Sequence, residues 1–195
     1  KAWKDNCDEE RLLGVSLSGV YDHPAYGNIN FPGLGKILDK FREHAIEVNA
    51  EWAQRLGINQ STAITTIKPD GNSSQLTNTA SGIHPRYAPF YIRTNRENKT
   101  NPVGQLIWNE GVPSEDDVTK AGMWVFSWPQ KAPEGAITRN DVSAIDHLKL
   151  WLIYREHRAE HNISITVSVK PHEWLSVGAF VYEHFDQMSG VSFLP

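Results

Sequence analysis

A single cysteine, Cys7, in 195 residues excludes an internal disulfide and any cysteine-rich zinc site. No apolar run approaches the length needed to span a bilayer, and the opening Lys1-Ala2-Trp3-Lys4-Asp5-Asn6 lacks the apolar core of a signal peptide. Positive charge is scarce too. Nineteen Lys and Arg against 23 Asp and Glu leave a net charge of −4, without the concentrated basic face of a duplex-binding protein. These absences predict no nucleic-acid partner, no membrane partner and a cytoplasmic location. A local anion site stays open, because backbone amides can hold a phosphate without any lysine.

What is present is a folding composition. Seven tryptophans and a 39% hydrophobic fraction argue against disorder, and the length suits one domain or part of a larger one. Residues 11–20 alternate Leu13, Val15 and Leu17 with small residues, which predicts a strand. Over 34–56, Leu38, Phe41, Ala45, Val48, Trp52 and Leu56 form one stripe of a long helix that Gly57 ends. The β-branched run 61–68 reads as a strand stopping at Pro69.

Beyond an irregular excursion with a short strand at 90–92, Asn101 and Pro102 open a short helix, and 123–128 is a compact apolar strand. Asn140 or Asp141 caps a helix running to about His161. Then come the alternating strand 162–170, a helix over 171–185 with Trp174, Val177, Val181 and Phe185 on one side, and a last strand over 190–195. Strands alternating with helices predict right-handed crossovers, a mainly parallel sheet and an α/β fold in which 1–195 form no separate second domain. A parallel strand at the end of the order would be covered by further structure.

The chemistry-bearing stretch is Thr65-Thr66-Ile67-Lys68-Pro69-Asp70-Gly71-Asn72-Ser73-Ser74-Gln75, which joins a strand to a loop rich in N–H and hydroxyl donors. Two readings stand side by side: an anion site, or a plain turn in which Ser73 caps the next few residues. Asp70 would repel a phosphate unless its side chain turns away or caps the local backbone. His157 and His161 have metal-ligand spacing on a helix, against a solvated or capping role. Arg86, Arg93 and Arg96 could meet phosphates or pair with carboxylates. Trp124, Trp128, Trp151 and Trp174 read as core rather than as a stacking platform.

The loop, followed by Ser81-Gly82-Ile83-His84-Pro85, resembles the phosphate-binding region of ribonucleotide reductase catalytic subunits. Residues 11–19, Tyr91-Ile92-Arg93, Glu160-His161-Asn162-Ile163-Ser164-Ile165-Thr166-Val167 and the closing Ser189-Gly190-Val191-Ser192-Phe193-Leu194-Pro195 extend the likeness, most closely to the adenosylcobalamin-dependent class. The resemblance implies the second half of a ten-stranded α/β barrel. It also implies reduction of a ribonucleotide at C2′ by thiyl-radical chemistry, with adenosylcobalamin as radical source, a thioredoxin-like reductant and an amino-terminal half as partner.

On this reading Pro69, Asp70, Gly71, Asn72, Ser73 and Ser74 form the phosphate loop, with direct contacts from Gly71, Asn72, Ser73 and Ser74. No metal site is implied, and the radical and redox cysteines lie outside these residues, with Cys7 a small buried or incidental thiol. The competing readings are a free-standing nucleotide- or phosphate-binding module and an assembly subunit without catalytic activity.

Overall fold

The computed structural model describes residues 1–195. They divide into two compact units, Lys1–Arg86 with Ile137–Pro195, and Tyr87–Ala136.

In the first unit, α1 (Ala2–Glu10) buries no residue. α2 (Leu34–Leu56) ends at Gly57, whose left-handed backbone returns its N–H to the carbonyls of Ala53 and Gln54. The predicted stripe of α2 packs at Leu38, but Trp52 and Leu56 are exposed, at 51% and 62%. Its outer half walls an open apolar groove of about 530 Å³ with Leu13, Val15 and Leu17.

α5 (Ala144–His157) starts at Ser143, whose side chain accepts from Asp146 N, and not at Asn140 or Asp141. Asp141 instead accepts from the backbone and hydroxyl of Thr138. Buried Ala144, His147, Leu148, Trp151 and Tyr154 keep helical spacing, while the half-buried Ile145, Leu152 and Ile153 fall outside that face, which is why the apolar pattern keeps the helical period so loosely in the sequence. α6 (Trp174–Glu183) leaves Trp174 43% exposed, so this tryptophan is not core.

Four extended segments lie side by side, with parallel pairing at Val15–Thr65 and between the last two. Leu13 N and Val15 N donate to Ala63 O and Ile64 O, Thr66 N returns to Val15 O, and Ser164 N reaches Ile67 O. β4 (Ile165–Ser168) then pairs in parallel with β5 (Val191–Leu194). Ile163, Ile165, Val167 and Val169 are all buried, as their alternation predicts. Residues 11–20 and 61–68 nevertheless form an isolated bridge at Val15 and Thr65 rather than a full ladder.

The second unit corrects the expectation of a mainly parallel arrangement. β1 (Phe90–Asn98) pairs antiparallel with β3 (Met123–Lys131), and β2 (Ser114–Asp116) adds to β3's other edge. The strand at 123–128 therefore belongs to a separate antiparallel sheet. α4 (Pro102–Asn109) is capped by Asn101 as predicted. Trp108 stacks on Trp124 with ring centroids 5.5 Å apart. The Asp117 carboxyl is held at about 2 by the hydroxyl and backbone N–H of Thr119, with Arg96 adding to them.

Candidate functional site

At Pro69 the chain leaves the parallel layer and enters the loop predicted to meet an anion. Lys68 N donates to Ser16 Oγ at 3.0 Å, its ammonium reaches Ser164 Oγ at 3.0 Å, and Asp70 N donates to Ser81 Oγ at 2.7 Å. The loop is thus fastened to three neighbours before it turns. α3 (Ser73–Leu76) follows as a single turn.

Asp70 organises the turn by capping it. Its carboxylate accepts from Asn72 N at 3.1 Å, Ser73 N at 3.0 Å, the Ser73 hydroxyl and, at 3.4 Å, Ser18 Oγ. The Ser73 hydroxyl, followed by the amides of Asn72, Ser73 and Ser74, holds the carboxyl below the usual aspartate range. The N–H groups expected to face a phosphate are therefore turned onto Asp70. Ser74, 1% exposed, donates its hydroxyl to Asp70 O and braces the turn from inside.

Pro69, Asp70, Gly71, Asn72 and Ser73 line an open cleft of about 630 Å³ together with Ser16, Ser18, Lys68 and Thr77. Ser74 lies behind it. Ser16 and Ser18 were not singled out from the sequence, although the alternation Val15-Ser16-Leu17-Ser18 sets both hydroxyls on one face of an extended chain.

Two further clusters hold the frame. Arg86 places Nε and Nη2 on the two carboxylate oxygens of Asp22 at 3.1 and 3.0 Å, and reaches Asn78 Oδ1 and O at 3.0 and 2.6 Å. Asp22 also accepts from Ala80 N at 2.6 Å, so the pair pins the chain as it leaves α3. Arg86 and Arg96 thus pair with carboxylates.

Glu160-His161-Asn162 forms a seam. Glu160 Oε2 accepts from Ile64 N, Thr65 N and Thr65 Oγ1 at 2.9 to 3.1 Å, and His161 Nε2 lies 2.8 and 3.1 Å from the carbonyls of Leu13 and Ala63. Asn162 O accepts from Thr66 Oγ1. His157 faces Asp39 instead, so the histidine pair converges on no common point. Cys7 is exposed, not buried.

Gly82 is a position where the backbone excludes any other residue. Its φ is +55°, and an added Cβ would lie 2.7 Å from Lys68 O, the carbonyl that precedes Pro69. Gly82→Ala is expected to cost about 1–3 kcal/mol in backbone strain alone, read as a lowered urea midpoint. A loss below half a kcal/mol would show that the crossing of 68 and 82 is loose.

No family model matches the chain. It is 28% identical over 192 residues, 95% of its length, to a protein of Dictyostelium discoideum named probable adenosylcobalamin-dependent ribonucleoside-triphosphate reductase. The like-named enzymes of Euglena gracilis and Lacticaseibacillus paracasei are 23% and 21% identical over 99% and 98% of the chain. Its relatives are adenosylcobalamin-dependent ribonucleoside-triphosphate reductases. The chain spans 24 to 29% of the length of these three reductases. A crystal structure of a B12-dependent class II ribonucleotide reductase superposes with a TM-score of 0.77 at 18% identity, over 98% of this chain and 30% of that one. The fold is therefore the mixed α/β fold found within a class II reductase.

Proposed function

We propose that this chain is the part of a ribonucleotide reductase that receives the substrate's phosphates, and that it forms the second half of the ten-stranded barrel, with both compact units in one catalytic domain. The observation that carries this reading is the cleft at the carboxyl end of the extended segment 61–68. Ligands of parallel α/β folds bind at that end of the strands. There Lys68 and the hydroxyls of Ser16, Ser18, Ser73 and Thr77 surround one space beside a loop whose amides already hold an anionic group.

In the reaction proposed for the whole enzyme, a ribonucleotide and a dithiol give a 2′-deoxyribonucleotide, water and a disulfide. A lone cysteine cannot supply a dithiol, so the thiols come from the amino-terminal half, from residues beyond these and from a thioredoxin-like reductant. The role of this chain is to fix the ribose by its phosphates, because misplacement of reacting atoms is costly. The work is cytoplasmic. Adenosylcobalamin, named in the relatives, would supply the radical; the groove beside α2 is almost wholly apolar and offers few polar partners for the amide rim of a corrin, so the residues that would hold it lie outside that groove.

Turnover of a ribonucleoside triphosphate by this chain joined with an amino-terminal barrel half, adenosylcobalamin and a dithiol tests the reading, with the chain alone inactive. Calorimetric titration of the chain with inorganic triphosphate tests the cleft. Asp70→Asn keeps an accepting oxygen for the turn and removes a negative charge, so affinity should rise by roughly threefold or more. Ser73→Ala should weaken it several-fold. Unchanged affinity in both variants would place the phosphates elsewhere.

A further inference from the structure

The ring of His84 sits between the loop and β4. Thr166 N lies 2.9 Å from His84 Nε2, and a backbone amide can only donate, so Nε2 carries a lone pair. His84 Nδ1 lies 3.0 Å from Ser81 O, which can only accept, so the proton is on Nδ1. One tautomer, neutral and protonated at Nδ1, satisfies both contacts.

The topology explains why a side chain is needed here. Along β4 the odd residues turn their N–H toward β5, as Ile165 N does to Gly190 O, and the even residues turn theirs to the opposite side. Ser164 N finds Ile67 O there. Two residues further along, the neighbouring segment has already left at Pro69, so Thr166 N has lost the carbonyl that the next step of a parallel pairing would supply. His84 Nε2 takes that place. Its other end holds Ser81, whose Oγ accepts from Asp70 N, and Asp70 orders the amides of Asn72 and Ser73.

We propose that His84 is a positioning residue that ties the phosphate loop to β4 through Thr166 N, its ring and Ser81. The claim rests on the phosphate-loop reading above for its consequence on binding, but its structural half stands apart from it. The connected groups are Thr166, His84, Ser81 and Asp70, with no catalytic contact assigned to His84.

The test separates the two halves. Imidazole nitrogen shifts of the wild-type chain should report the tautomer with Nδ1 protonated and Nε2 accepting. In His84→Ala, amide exchange at Asp70, Asn72 and Ser73 should rise by about tenfold or more, while β1 and β3 keep their protection. His84→Asn keeps a donor toward Ser81, and His84→Gln keeps an acceptor toward Thr166. Each preserves one end, so both are expected to exchange at the loop as alanine does, and they give folded variants should alanine fail to fold.

Inorganic triphosphate affinity should fall about tenfold in all three. An Nε2-protonated ring, or loop exchange unchanged in the variants, overturns the proposal. Wild-type chain that binds no triphosphate while loop exchange responds to His84 refutes the phosphate reading and leaves the tie in place. Altered exchange with unchanged triphosphate affinity overturns the positioning role.

Discussion

Arg86→Ala is expected to destabilise the first unit by about 3 kcal/mol, the low end of the range for breaking a buried ion pair, because Asp22 keeps a 24% exposed side chain. The guanidinium is 5% exposed and spends its donors on both oxygens of Asp22 and on two oxygens of Asn78. Its removal leaves Asp22 with Ala80 N and opens a void beneath the chain leaving α3. Arg86→Lys should recover less than half of the loss, since a point charge cannot span two carboxylate oxygens and the Asn78 carbonyl together. Urea unfolding of the three proteins measures this, at constant m. A deficit under 1 kcal/mol in Arg86→Ala would mean that desolvation of the guanidinium already cancels its bonds.

The elements that were legible in the sequence are those whose burial is one-sided and local. Strand β4 shows its alternation because Ile163, Ile165, Val167 and Val169 all meet the core. Helix α4 shows its start because Asn101 and Pro102 do their capping within three residues. The antiparallel sheet was missed because β1 turns its apolar Phe90 and Ile92 outward and its polar Arg93, Asn95 and Glu97 to the half-buried side. Tyr91, Arg93, Asn95 and Glu97 turn to the half-buried side and Phe90, Ile92, Thr94 and Arg96 to the exposed side, an arrangement no hydrophobic period reports. Pairing partners lie 25 to 41 residues apart, which local patterning does not encode.

The loop itself was visible as a donor-rich turn at a strand's end, and the order of flanking motifs raised it above an ordinary turn. What sequence could not supply was the direction of its amides. Asp70 was recognised as a residue that must cap or turn away, but only geometry shows that it gathers the amides of 72 and 73 and a serine from 52 residues earlier. Likewise Glu160-His161-Asn162 was recognised by likeness. Its physical content, a carboxylate and an imidazole closing the gap between segments 13–15, 63–66 and 160–162, depends on contacts about 95 to 150 residues apart in the chain.

Acid should weaken the fold well before its carboxylates titrate. His147 is buried on α5, its Nε2 is 3.0 Å from Ile83 O, and the rings of Tyr21 and His84 meet it edge-on at 5.7 and 5.9 Å. Burial pushes its pKa down to about 4, and burial lowers His84 as well. An unfolded histidine titrates near 6.5, so between the two values the unfolded chain holds a proton that the folded chain refuses. The stability is complete above pH 6.5 and is lost as pH falls toward 4, by on the order of 3 kcal/mol for His147 alone.

Asp117 works in the opposite sense of charge but the same direction of pH. Its carboxyl is depressed to about 2, so its contribution is lost only below the ordinary aspartate value. Histidine therefore governs the window from 6.5 to 4. Wild-type protein should lose about 2 kcal/mol or more between pH 7 and pH 5 in urea unfolding. His147→Gln, which keeps a donor for Ile83 O and cannot titrate, should lose markedly less over the same interval. An equal loss in both proteins would assign the acid sensitivity to another group.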